Sequence, residues 1–280
     1  MFSNLSVWTL SRKNDNFSMK DLHYPVIDSH VHLDLLDRHH PRQCQWLQEK
    51  GCSVISWSYF DNIDSVPDFK KQLESKAHCI HRYAKDGLEC RYLAGVHPRS
   101  IPPELKPEQI ESVLTPYIGD PLCLGIGEIG LETGDARERE VLIAQLELGR
   151  QIISRGKVVG VHTPRSNKAS ITRTTLKVLK GYPDLAPSLV VDHCTVDTIS
   201  EVLEADFWAG VTLSPVKTGW AELIQIVKSC AERVNRIMCN TDSGTSFFED
   251  VVRHRGNEDL SESIREKIFY ENAAIFFHLN

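Results

Sequence analysis

Apolar residues collect along this chain in eight short runs rich in Val, Ile, Leu and Gly, at 26–32, 53–59, 91–97, 123–129, 158–162, 189–193, 208–214 and 237–242. Their length and β-branched content predict buried strands. Between the runs the apolar spacing changes to that of helices. Val141, Ile143, Leu146, Leu148 and Ile152 mark the clearest one, with Arg and Glu on the opposite face. The stretches 103–118, 169–179, 198–205, 221–234 and 261–277 also read as helices. The run ends are 21 to 38 residues apart, the spacing of repeated strand–helix units. Such alternation predicts a parallel sheet, and eight units predict a closed (β/α)8 TIM barrel in a single domain. That domain is expected over 23–280. Residues 1–22 are polar, lack a continuous apolar segment and read as a loose N-terminal tail. Met19 lies just ahead of the first strand signal and is a candidate translation start.

Composition narrows the partners. With 280 residues, 41% hydrophobic and 25% charged, the chain falls among soluble globular proteins. It holds no apolar run of roughly 18 residues, so no membrane span is expected. A net charge of −6 argues against tight, extended nucleic-acid binding. It leaves room for a small phosphorylated substrate or a nucleic-acid end held by a local basic patch. The eight cysteines form no CxxC pair, which argues against a thiolate zinc site. Together with the absence of a secretion signal, they point to reduced thiols and a cytoplasmic location. The sequence shows no obligate protein partner.

The chemistry sits at the ends of the runs. In a strand, residues two apart face the same side, so His30 and His32 project together. Two inward imidazoles cost desolvation unless something satisfies them, and a shared cation does. Glu128 follows Gly127 at the tip of another run, with small neighbours that leave room for other ligands. His162, His193 and Asp242 each end a further run. Taken singly, any of these is as compatible with a satisfied core or cap group. Together, five strand ends finish in imidazole or carboxylate, and in a barrel they converge on the face where active sites lie. Four imidazoles and two carboxylates suit two divalent cations: Zn²⁺, Mn²⁺ or Co²⁺, or less well Mg²⁺. Such a pair activates water near neutral pH.

Other polar residues are candidates for substrate. Arg165 is placed to grip a phosphate or carboxylate bidentately, and Lys168 to assist it. His97 ends the run before Pro98 and is expected to contact substrate or orient a ligand. Asp34 is a possible outer acid. Asp192 alternates with His193 and is expected to face the outer helices. His39 and His40 read as surface residues of a polar loop.

Asp28-Ser29-His30-Val31-His32, Gly95-Val96-His97-Pro98, Gly127-Glu128-Ile129-Gly130-Leu131, Gln145-Leu146-Glu147-Leu148, Asp192-His193-Cys194 and Thr241-Asp242 occur in this order. From about residue 26 to the C-terminus, the chain resembles the TatD family of metal-dependent hydrolases, in the amidohydrolase superfamily. The resemblance implies that His30, His32 and Asp242 bind one metal, that His162 and His193 bind the other, and that Glu128 bridges them. It also implies that Asp242 accepts a proton from the attacking water, and it adds weight to phosphodiester chemistry. The chain departs from the family pattern at Arg99, at Glu132-Thr133, at Thr163-Pro164-Arg165 and at Ser243-Gly244, all in substrate-facing loops. The leading expectation is a phosphoester hydrolase with Asp242 and Glu128 as catalytic residues. The alternatives are an amidohydrolase or lactonase acting on a C–N or C–O bond, and a non-catalytic metal-binding scaffold.

Overall fold

The computed structural model describes residues 25–279. The tail expected at 1–22, with Met19, lies outside the described residues. Eight strands follow one another around a barrel: β1 (Val26–Val31), β2 (Cys52–Ser56), β3 (Cys90–Leu93), β4 (Cys123–Gly130), β5 (Val158–His162), β6 (Leu189–Val191), β7 (Trp208–Thr212) and β8 (Ile237–Asn240). Each pairs in parallel with the next in chain order. The first and last meet at their C-terminal ends. There Val31 bridges Ser243, the Asp242 N–H donates to the His30 carbonyl at 2.9 Å, and the His32 N–H to the Ser243 carbonyl at 2.7 Å. The expected (β/α)8 barrel is therefore the observed one.

Every predicted run forms a strand, but several strands stop short. The runs ending at 59, 97, 193 and 242 leave the ladder at Ser56, Leu93, Val191 and Asn240. Their last residues instead form the barrel mouth.

Helices alternate with the strands. After β1 come α1 (Leu33–His39) and α2 (Pro41–Glu49), and after β2 comes α3 (Val66–Lys85). Next are α4 (Ile110–Ile118), α5 (Ala136–Ile152), α6 (Lys168–Leu179), α7 (Ile199–Glu204) and α8 (Trp220–Ser229). The chain ends with α9 (Asp250–His254), α10 (Glu262–Glu266) and α11 (Asn272–Phe276), the last two joined by a π turn at Lys267–Glu271. The first three helices were not predicted. The α3 stripe of Phe69, Leu73, Lys76 and Ile80 has helical spacing and is buried, but a lysine interrupts its apolar pattern. His39 and His40, expected in a loop, lie at the α1–α2 junction, where the break in the helix falls just before Pro41. His40 Nε2 reaches the Thr245 carbonyl at 2.9 Å.

Capping fixes the helix starts. Ser65 Oγ accepts the Asp68 N–H at 3.2 Å to begin α3, and the Asp135 carboxylate accepts the Glu138 N–H at 2.8 Å to begin α5. The main core lies between sheet and helices, as the β-branched strands require. A second cluster joins Ile27, Ile55, Leu93, Val158, Val190 and Met238 to Phe276 and Phe277 near the C-terminus. Trp57 completes it. A Cβ on Gly160 would stand 2.4 Å from its ring, so a glycine is needed to let the indole lie across β5. All eight cysteines are free, and among the described residues no helix is long and apolar enough to cross a membrane.

Candidate metal centre

Two of the six expected ligands owe their position to unusual backbone. His193 and Asp242 have φ of +58° and +54°, in the left-handed region where side chains other than glycine are uncommon. Each lies two residues beyond its strand, and the turn swings the side chain into the barrel mouth. The ligating atoms of His30, His32, Glu128, His162, His193 and Asp242 gather there with those of His97. They form three overlapping groups: His30–His32–Asp242, His30–Glu128–His193 and His97–Glu128–His162, the atoms of each lying within 4.8 Å of one another. His30 and Glu128 each belong to two groups. The pairing of His162 with His193 that the resemblance implied is not among them, although their rings stand 5.3 Å apart.

Hydrogen bonds behind the site set the imidazole tautomers. The Trp57 carbonyl only accepts, so His32 Nδ1, 3.1 Å away, carries the proton. His30 Nδ1 lies 2.5 Å from Asp192 Oδ2 and donates to it. Asn240 Nδ2 donates to the other Asp192 oxygen at 2.8 Å, which leaves Asn240 Oδ1 to accept the Thr212 hydroxyl proton at 2.8 Å. Thr212 Oγ1, its proton thus used, accepts from His193 Nδ1 at 2.7 Å. One continuous chain, His30–Asp192–Asn240–Thr212–His193, therefore fixes two candidate ligands at once. In all three histidines Nε2 faces the mouth. Carboxylate and carbonyl partners of this kind orient metal-binding imidazoles. Asp192 is thus not turned to the outer helices, because the chain leaves β6 at Val191 and the strand alternation ends there.

His30 Nε2 supplies the test of fit. It is buried and has no hydrogen-bond partner, and it stands 3.5 Å from Glu128 Oε2 and 3.7 Å from Asp242 Oδ1. A buried ring nitrogen that faces two carboxylates without a hydrogen bond is a position suited to a divalent cation. Trp57 stacks on His30 with the ring centroids 4.2 Å apart.

The charges are strongly coupled. Burial disfavours the His30 imidazolium, but Glu128 and Asp192 outweigh it and push its pKa up to about 10. Burial likewise opposes ionisation of Glu128 and Asp242. The His30 and His162 imidazoles hold Glu128 well below the usual carboxylate range, and Lys217 and His32 do the same for Asp242. Burial and the Lys217 cation lower His193 to about 4. Burial lowers His97 to about 3, so its ring is neutral. Its Nδ1 accepts the Arg99 N–H at 3.1 Å, so its proton sits on Nε2, which faces Glu128 at 3.9 Å.

The mouth opens into a cavity of about 1060 Å³ lined by Arg99, Arg165, Lys168 and Lys217. A family model described as TatD related DNase matches residues 27–267. The chain belongs to this family. The TatD-like protein from Archaeoglobus fulgidus is 28% identical, with a TM-score of 0.70 over 90% of this chain and all of that one. More distant are a β-aspartyl dipeptidase from Fervidobacterium islandicum (15% identity, TM-score 0.62, 91% of this chain and 75% of that one) and a manganese-bound dihydroxybenzoic acid decarboxylase from Polaromonas (14%, 0.60, 91% and 97%). These two show the barrel alone. No curated protein matches the sequence. Membership of the TatD-related family marks the chain as a metal-dependent hydrolase.

The softer expectations for this TatD-related site fare unevenly. Arg165 is exposed on the cavity wall. Lys168 directs its ammonium to the Thr163 carbonyl and hydroxyl and to the His193 carbonyl, at 3.3, 3.0 and 2.7 Å. It ties two loops together and offers the cavity its charge rather than a free donor. Asp34 does not touch a ligand. It pairs at 2.8 Å with buried Lys76, whose Nζ donates at 2.6 Å to the Trp57 carbonyl that holds His32.

Sequence reasoning missed three participants. Glu132 Oε2 stands 3.1 Å from His162 Nε2, and its loop is held by Glu138, whose carboxylate accepts the N–H groups of Glu132, Thr133 and Gly134. The chain of Asp192, Asn240 and Thr212 is the second. Lys217 is the third. It ion-pairs with Asp242 Oδ2 from the loop after β7. Its signal was its place in a loop at the C-terminal ends of the strands, where barrel enzymes carry chemistry.

Proposed function

We propose that this chain hydrolyses a phosphoester, most readily a phosphodiester, with a centre of two divalent cations. The observation that carries this reading is the unpartnered Nε2 of His30 between Glu128 and Asp242, beneath a cavity lined by four cationic side chains. His30, His32 and Asp242 would hold one ion, His162 and His193 the other, and Glu128 would be shared between them. Zn²⁺, Mn²⁺ and Co²⁺ match the nitrogen and oxygen donors best. When bound, the ions supply Lewis acidity toward water and toward a phosphoryl oxygen.

The side chains do the rest. Asp242 accepts the proton of the attacking water. Glu128, kept ionised by its imidazoles, balances charge at the centre. His97, neutral and protonated on Nε2, donates to a substrate oxygen. Arg165 grips a non-bridging oxygen, and Lys168 adds positive potential. The substrate is a small phosphorylated molecule or a nucleic-acid end. The chain needs no partner protein for this chemistry, and its eight free thiols suit the cytoplasm.

The test is a panel of phosphodiester, phosphomonoester, lactone and cyclic amide substrates with added Mn²⁺. Phosphodiester turnover that a chelator abolishes is the expected result. Turnover of the lactone or amide alone would assign C–O or C–N chemistry to the same centre instead. No turnover under any metal would leave a metal-binding scaffold.

A further inference from the structure

Lys217 reaches two of the candidate ligands. Its Nζ pairs with Asp242 Oδ2 and lies 3.5 Å from His193 Nε2. Nδ1 of the same ring is nearer, at 3.1 Å, but its proton goes to Thr212, so it has no lone pair to offer the ammonium. The lone pair that Lys217 faces is therefore the Nε2 one, which also faces Glu128 Oε1 at 3.2 Å. Asp242 divides in the same way. Its Oδ1 faces His32 and His30, at 2.9 and 3.7 Å, and its Oδ2 faces the lysine. The Lys217 side chain is 13% exposed, so solvent screens its charge little.

We propose that Lys217 competes with the divalent cations for Asp242 Oδ2 and His193 Nε2, one ligand from each ion's set, and so sets how tightly the centre is occupied. This rests on the metal-centre reading above. An ammonium and a dication at adjoining ligands repel strongly in a site this dry. One must yield, and the lysine is able to. Its backbone is fixed, since Thr218 N–H donates to the Thr212 carbonyl, Lys217 N–H to the Ser214 carbonyl and Ser214 N–H to the Thr218 carbonyl, at 3.1, 3.2 and 3.1 Å. Its four-carbon stem is flexible, and the cavity beside it has room for the displaced ammonium. Because one ligand of each ion faces the ammonium, both ions are held less tightly than their donor sets alone would allow.

Calorimetric titration of the full-length protein with Mn²⁺ and with Zn²⁺ tests this on wild type, Lys217→Met and Lys217→Arg. In Lys217→Met both ions should bind at least tenfold tighter. Lys217→Arg retains a cation and should resemble wild type. The thermal midpoint of chelator-treated Lys217→Met should fall below that of chelator-treated wild type, because Asp242 loses its counter-charge, and metal should restore it. Should the methionine variant not fold, Lys217→Gln takes its place with the same expectation. An unchanged or weakened metal affinity in the neutral variants overturns the competition. Wild type that binds no metal at all overturns the metal-centre reading itself, which keeps the two failures apart.

Discussion

His30 and Asp192 meet at 2.5 Å through Nδ1 and Oδ2, although 162 residues separate them in the chain. That contact turns the imidazole so that its other nitrogen, buried and without a partner, lies between Glu128 and Asp242. Because Asn240 and Thr212 continue the same chain to His193, one polar network orients ligands on both sides of the centre.

Asn240→Leu cuts this network in the middle. Both His30 and His193 should respond, although Asn240 touches neither ring. Nitrogen chemical shifts of the two imidazoles should change together, and metal affinity should fall roughly 10- to 100-fold, as for other outer-layer partners of metal-binding histidines. A change confined to one imidazole would show that the chain does not act as a unit.

Lys76 is 1% exposed and ion-paired to Asp34 behind His32. Lys76→Met leaves the carboxylate buried and unpaired and should cost about 3–5 kcal/mol in denaturant unfolding. The double variant Asp34→Asn, Lys76→Met should recover part of that loss, because no uncompensated charge remains. Equal stability of the single and double variants would mean that the pair is not coupled.

How far the sequence revealed all this depended on the kind of signal. Strand runs rich in Val and Ile located the barrel, and the residues at their ends located the ligands, because a parallel sheet buried on both faces leaves few other places for His or Asp. The lysine in the buried stripe of α3 hid that helix, since pattern reading expects Lys to face solvent. Asp192 was misplaced because strand alternation was extended past Val191, where the chain turns into the left-handed conformation of His193. Lys217, Asn240 and Thr212 carry no periodic signal. Their roles come from contacts made across the barrel, and only the fold assembles those.

The pH dependence of metal binding has a fixed sign. His30 has a pKa raised from 6.5 to about 10, so over that window the folded protein keeps a proton that a metal must displace. Apparent affinity should rise about tenfold per pH unit from pH 6.5 to 9, with proton release visible as a buffer-dependent heat. In chelator-treated protein the sign reverses. The stability contributed by charged His30 is complete below pH 6.5 and is lost as pH rises through about 10. Metal affinity that is flat across this range would exclude His30 as a ligand.

Asp242→Asn removes the proposed proton acceptor and keeps the shape of the side chain. Turnover should fall by about 10²- to 10⁴-fold, the range for loss of a general base. At least one metal should stay bound. Full activity in this variant would assign the base to another group, such as Glu132 beside His162.

The most direct measurement is anomalous scattering from crystals of the protein grown with Mn²⁺. Two peaks about 3.5–4 Å apart are expected, one of them within about 2.3 Å of His30 Nε2, with Glu128 between them. Peaks only elsewhere on the surface, or density showing His30 Nε2 bonded to a protein group, would contradict it.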